Sequence, residues 1–248
     1  MVTSHLLAKS SSILFAKKKM SQLTDLLLII HIIAGSFSLI TGPIAMMNQT
    51  GNNIHRTSGK IFFAGMTTVF VTAIYLSIVH ELLFLFLIAV FSYYSIFIGY
   101  RTLYLKKLGK GQRPQLIDWS VTLLTTAFHL GLFVWGFIVT IIQKESFGIT
   151  ALVFGILGLA GNYRDIRHYI KGYKEKNGWL FVHISGMIGG YIAAITAFLV
   201  NTVHFQPSFI LWLAPTIVFV PFMIYTTRKF RLKFSKGKNL NDVASVKL

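Results

Sequence analysis

The stretch Trp179–Val200, WLFVHISGMIGGYIAAITAFLV, decides the fold. Its 22 residues hold no Asp, Glu, Lys or Arg, and about 20 apolar residues are enough for a helix to cross a hydrocarbon core of about 30 Å. Six further stretches read the same way: Leu26–Met47, Ile61–Val79, Leu82–Tyr100, Trp119–Ile142, Phe147–Tyr163 and Phe209–Tyr225. The expectation is an all-α integral membrane bundle of about seven transmembrane helices. Composition agrees, with 54% hydrophobic and 12% charged residues against about 25% charged in an ordinary soluble domain.

The seven stretches use more than half of the 248 residues, which leaves no room for a separate soluble domain. The reading is residues 1–19 as an N-terminal extension, 20–227 as one membrane domain and 228–248 as a basic tail. With no cysteine in the chain, disulfides, thiolate metal sites and cysteine nucleophiles are excluded.

A net charge of +17 takes its meaning from position. Of 24 Lys and Arg, 19 fall between spans 1 and 2, 3 and 4, 5 and 6, or after span 7. The opposite loops hold only Lys144. Positive residues stay on the cytoplasmic side, so the C-terminus is expected inside and the N-terminus outside. Tyr100, Trp119, Trp179 and Tyr225 stand at the inner span ends, where amphipathic rings prefer the interface. Attraction to anionic lipid headgroups accounts for the basic loops and tail, and nucleic acid is not expected as a partner. Lys9, Lys17, Lys18 and Lys19 conflict with an outside N-terminus. Three resolutions stand: Met20 is the true start, residues 1–19 are a leader, or one span is false. Span 5, the shortest and glycine-bearing, is the suspect.

Histidines and small residues share helix faces. His31, Gly35, Ser38 and Gly42 form one stripe at steps of 4, 3 and 4, as a 3.6-residue period requires. Thr122, Thr125, His129, Gly136 and Thr140 form a second. His183, Gly186, Gly190, Ala194, Ala197 and Asn201 form a third. Small residues let helix backbones approach, so these stripes should face other helices. Pro43, Pro215 and Pro221 should bend their helices. His31-Ile-Ile-Ala-Gly and His183-Ile-Ser-Gly echo each other in spans of opposite direction. An inverted repeat is a transporter signature, but matches this short do not establish one.

Ionisable residues inside a membrane are functional candidates because burying them is costly. His55, at the start of span 2, and His183, one turn inside span 6, lie at matching depth near the inner surface. His129 lies near mid-span and His31 toward the outer side. Three chemistries fit. A b-type haem takes two histidines on facing helices, His55 with His183 or, at another depth, His31 with His129. A divalent metal could take His55, His129 and His183. A proton or solute pathway could use neutral imidazoles as relays. The structural alternative is a histidine that only bonds across helices. Arg56 and Lys60 stand beside His55 and suit an anion such as a haem propionate. The run Gly161–His168 is expected as a polar inner loop in which Asp165 pairs with Arg164, Arg167 or Arg56. Tyr93, Tyr94 and Tyr100 are expected to pack or anchor, and Glu81 and Glu145 to be solvated. No HExxH-like spacing exists and all seven acids lie in loops or at span ends, so enzymatic activity is not the leading expectation.

The pattern His31-x-x-x-Gly35 with Thr41-Gly42-Pro43, followed by His55-Arg56-x-x-Gly59-Lys60, resembles an uncharacterised family of bacterial multi-pass membrane proteins catalogued as a domain of unknown function. The string from His183 to Asn201 is similar to a segment seen in some such sequences. The resemblance covers two or three patches. It implies a multi-pass bacterial membrane protein in which His31, His55, Arg56 and His183 matter, and it supplies no activity. The leading functional expectation is a membrane protein binding b-type haem or a metal for electron transfer. A small-solute or proton transporter and a non-catalytic scaffold remain as alternatives. Substrate, reaction and oligomeric state are not legible.

Overall fold

The computed structural model describes residues 2–48 and 51–236, with side chains placed from Met20 onward. The chain forms α1 (Val2–Met47), α2 (Asn53–Val79), α3 (Leu83–Arg101) with a short 3-10 turn Thr102–Tyr104, α4 (Leu116–Phe137) continued by a π-helical turn Ile138–Ile142, α5 (Gly148–Lys171), α6 (Gly178–Thr202) and α7 (Phe209–Ser235). Among the described residues there is no strand, only an isolated bridge between Leu108 and Gln112. The side chains of the 1–19 extension and the tail from 237 on lie outside the described residues. α7 itself runs past residue 227 to Ser235.

Six helices are long and apolar enough to cross a membrane: Met20–Met47, Asn53–Val79, Leu83–Tyr104, Leu116–Ile142, Gly178–Thr202 and Phe209–Ser235. The chain is therefore a multi-pass membrane protein by helix length and composition. α5, the span suspected from sequence, is the one that does not meet that measure. Its 24 residues make a rod of about 36 Å, but its second half carries Asn162, Arg164, Asp165, Arg167, His168 and Lys171. The segment Gly161–His168 is accordingly helix and not loop, since α5 continues to Lys171.

α1, α2, α3 and α6 form a ring in which each helix touches the next: α1 on α2, α2 on α3, α3 on α6 and α6 on α1. The diagonal pairs, α1 with α3 and α2 with α6, make no backbone contact. The centre of this four-helix bundle is filled by Phe62, Met66, Ile96, Tyr191 and Ala194. The hairpin α4–α5 packs on α3, and α7 lies on α6 and touches α5. Leu87, Leu132, Ala151 and Phe154 fill the second core.

Lipid tails are as apolar as leucine, so close packing and hydrogen bonds hold such helices together. The small-residue stripes do this work. A side-chain carbon at Gly186 would collide with the backbone of Ser95 and Gly99, and one at Gly190 with Ile96. Gly42 faces Tyr191, Gly65 faces Ser38, Gly136 faces Ala151, and Gly158 faces the His129 ring. Pro43, Pro215 and Pro221 stand inside helices that continue through them. Pro43 has no N–H for the carbonyl four residues back, and the Tyr191 hydroxyl reaches that orphan, Leu39 O, at 3.4 Å.

Candidate functional site

Two helix ends and two helix starts meet at the site. α1 ends at Met47, so its last carbonyls lack intrahelical donors. His55, in the first turn of α2, donates from Nδ1 to one of them, Ala45 O, at 2.8 Å. Its backbone N–H is held by the Asn52 side chain, the N-cap of α2, at 2.7 Å. α3 ends at Arg101, and its carbonyl Gly99 O accepts from His183 Nδ1 at 2.7 Å. The Gly99–Gly186 backbone approach brings α6 near enough for that bond. A carbonyl oxygen can only accept, so both Nδ1 atoms carry the hydrogen, and in the neutral rings both Nε2 atoms are lone pairs. The two rings stand edge to face, with centroids 6.2 Å apart and planes at 66°. They sit on the diagonal helices α2 and α6, whose backbones do not touch. Gly59 lies one turn beyond His55 on the same face, and a side-chain carbon there would meet nothing within 4 Å.

A second polar cluster sits between α3, α4 and α5. Asn162 donates from Nδ2 to Thr122 O and Thr125 Oγ1, both at 3.1 Å. That fixes the amide so that Oδ1 faces His129 and accepts from its Nδ1. His129 Nε2 is again a bare lone pair, here fully buried and without a partner. Its ring lies edge-on to Phe91 and Tyr94, with centroids 5.6 Å away in each case. The Tyr94 hydroxyl donates to Asp165 Oδ2 at 3.0 Å, and the Thr122 hydroxyl contacts Tyr169 Oη at 3.2 Å. Asp165 is held by Arg164, Nε to Oδ1 at 2.9 Å, with His168 4.0 Å away. Nearer the helix ends, Arg101 grips the fully buried Asp118 with two bonds of 2.6 and 3.1 Å. Tyr173 shares a 2.8 Å bond with Thr102, and burial pushes its phenol up to about 12.

The expected residues thus separate. His55 and His183 come together. His129 does not join them, because its own helix packs with α5, and no group of three His, Cys, Asp or Glu able to hold a metal occurs among the described residues. This removes the three-imidazole site. The His31 with His129 pairing also fails: α1 and α4 do not touch, and His31 bonds Thr72 Oγ1 at 2.9 Å. Arg56 is exposed beside the His55 ring's helix turn. Asp165 pairs with Arg164, as expected, and is buried. Glu81 and Glu145 are exposed, as expected. Tyr94 was expected to pack, yet it is a hydrogen-bonding member of the cluster, while Tyr93 and Tyr100 stack on Phe70 and Phe63. Asn162, Thr122 and Tyr169 were not marked as site residues. The signal was present: Gly155, Gly158, Asn162, Asp165 and Tyr169 step by 3, 4, 3 and 4, one face of one helix.

No family model, curated protein or solved structure matches this chain. The motif resemblance in spans 1, 2 and 6 therefore rests on its own residues.

Proposed function

We propose that this protein binds a transition-metal cofactor through His55 and His183, with b-type haem as the form the site suits best. The observation that carries the reading is the shared tautomer of the two imidazoles. Each is pinned through Nδ1 to a main-chain carbonyl, and the two rings lie with their centroids 6.2 Å apart. A ligating histidine is held in this way, with its second nitrogen donating to a fixed acceptor. Two imidazole nitrogens each about 2 Å from one metal ion are at most about 4 Å apart, and ring centres 6.2 Å apart leave room for one ion to be shared. Diagonal helices with separated backbones and the open flank at Gly59 support a flat ligand at that place. Arg56 and Lys60 are exposed on the same end of α2 and suit its carboxylates. When bound, haem would supply one-electron transfer. The protein's own part is to fix both rings and exclude water.

The membrane is read as a bacterial inner membrane, with the His55–His183 end on the cytoplasmic side because the basic loops gather there. The test of the cofactor is an absorption spectrum of protein purified in mild detergent, oxidised and then reduced, after expression with haem precursor. A Soret band that shifts on reduction is expected. His55→Ala and His183→Ala should each lower it by roughly tenfold or more, with helical content unchanged by circular dichroism. Metal by elemental analysis without a Soret band would replace haem by a simple ion. A purified protein that holds neither haem nor metal overturns the reading.

A further inference from the structure

At the basic end of the bundle two loops are locked together. Gly109, between α3 and α4, and Gly172, after α5, touch backbone to backbone. Both have positive φ, 78° and 72°, a conformation that glycine adopts without penalty. A side-chain carbon at either would collide with the other loop. The contact joins the segment that carries Lys107 and Lys110 to the segment that carries Lys171 and Lys174. None of these four makes an ion pair or side-chain hydrogen bond among the described residues.

Among the described residues, the acids of this end are all engaged elsewhere. Asp118 is buried under Arg101, Asp165 is buried under Arg164, and Glu175 is drawn to Arg231 at 3.1 Å. The surface around Gly109 and Gly172 is therefore cationic without a compensating charge. It also lies at the rim of the apolar belt. Lys106 folds over the Trp179 ring at 4.5 Å, and Leu116 and Ile170 are 82% and 67% exposed within a few residues of these lysines. A nucleic acid has no use for exposed leucine and isoleucine beside its phosphates. A leaflet of anionic phospholipid offers phosphates and acyl chains in that same order.

We propose that the joined loops 105–113 and 171–176 form a binding platform for the phosphate headgroups of anionic phospholipids. The surplus of basic loop residues would orient the chain wherever those residues lay. The platform adds a preformed arrangement, set by the Gly109–Gly172 contact, that holds at least two loops' lysines on one headgroup cluster.

The experiment reconstitutes the full chain into nanodiscs of phosphatidylcholine alone, or with about one third phosphatidylglycerol, and reads thermal unfolding and the lipid retained on extraction. The wild type should melt several degrees higher with phosphatidylglycerol and retain that lipid in excess of its share. The variant K107Q/K110Q/K171Q/K174Q should lose both effects while melting like wild type in phosphatidylcholine. If that variant fails to fold, the pair K107Q/K110Q is used, and should lose about half of the shift. Equal melting of the wild type in both lipids overturns the proposal. So does an unchanged shift in the variants, or preferential retention of an oligonucleotide over phosphatidylglycerol at physiological salt. The outcome is independent of whether His55 and His183 hold a cofactor.

Discussion

His31, His55, His129 and His183 all bond through Nδ1 to an oxygen. The last three donate to carbonyl-type acceptors, which fixes one tautomer for each. What distinguishes them is the other nitrogen. The His55 and His183 rings meet each other across the α2–α6 diagonal, whereas His129 Nε2 is buried beside aromatic rings with no donor. Asn162 bears the structural load there, since one amide serves His129, Thr122 and Thr125. Asn162→Leu strands the His129 N–H, while the Thr122 carbonyl keeps the Thr125 and Thr126 hydroxyls. An orphaned buried group costs about 1–3 kcal/mol, and interhelical bonds in membranes average about 0.6 kcal/mol, so a loss of about 1–2 kcal/mol is expected. His129→Phe combined with Asn162→Leu removes both partners, and should be less destabilised than Asn162→Leu alone. Reversible unfolding in mixed detergent measures both, and strictly additive losses would contradict this account. The depth match of His55 and His183 was legible because both stand within a turn of a span end. The role of Tyr94 was not: a tyrosine on an apolar helix looks the same whether it packs or bonds, and its partner Asp165 lies 71 residues away.

At the level of elements, α6 and α5 show two ways a membrane helix can be read. α6 announces itself by apolarity and by Gly186-x-x-x-Gly190, and the structure seats that stripe on α3. Gly190→Leu would drive a side chain into Ile96, and overpacking costs about 1–3 kcal/mol, or several degrees of melting temperature for a chain of this size. Gly131, with nothing within 4 Å of its missing side chain, is the matched control: Gly131→Leu should leave the melting temperature unchanged or raise it, as a better helix former does on an exposed face. Equal losses at both positions would show that glycine content, not packing, is what the melt detects. α5 misled the sequence reading because its polar half was measured against water. Asn162 and Asp165 turn inward to α4 and α3, so the polarity that resembles a loop is the inner face of a helix. Period, more than hydropathy, carried the information.

For the molecule as a whole, the question is whether α5 crosses with the others, which fixes the parity of the topology. The contacts at one end answer in geometric terms. Ala45 of α1 meets His55 of α2, Arg101 of α3 meets Asp118 of α4, Gly99 of α3 meets His183 of α6, Thr102 meets Tyr173 just after α5, and Glu175 before α6 meets Arg231 of α7. The ends of α1, α3, α5 and α7 and the starts of α2, α4 and α6 therefore share one end of the bundle. If six helices cross as rods, α5 must run the same distance between α4 and α6, carried by its packing on α4 and not by its own apolarity. The same end carries the basic loops, which the positive-inside rule places in the cytoplasm. A reporter active only in the cytoplasm should then work after Leu248 and when inserted between Lys174 and Lys176, and fail between Lys144 and Phe147. A cytoplasmic signal at Lys144–Phe147 would mean that α5 lies along the membrane surface in vivo. The cluster from His129 to Asp165 would then have no bilayer to cross, so this single insertion decides whether the α4–α5 hairpin is a membrane element at all.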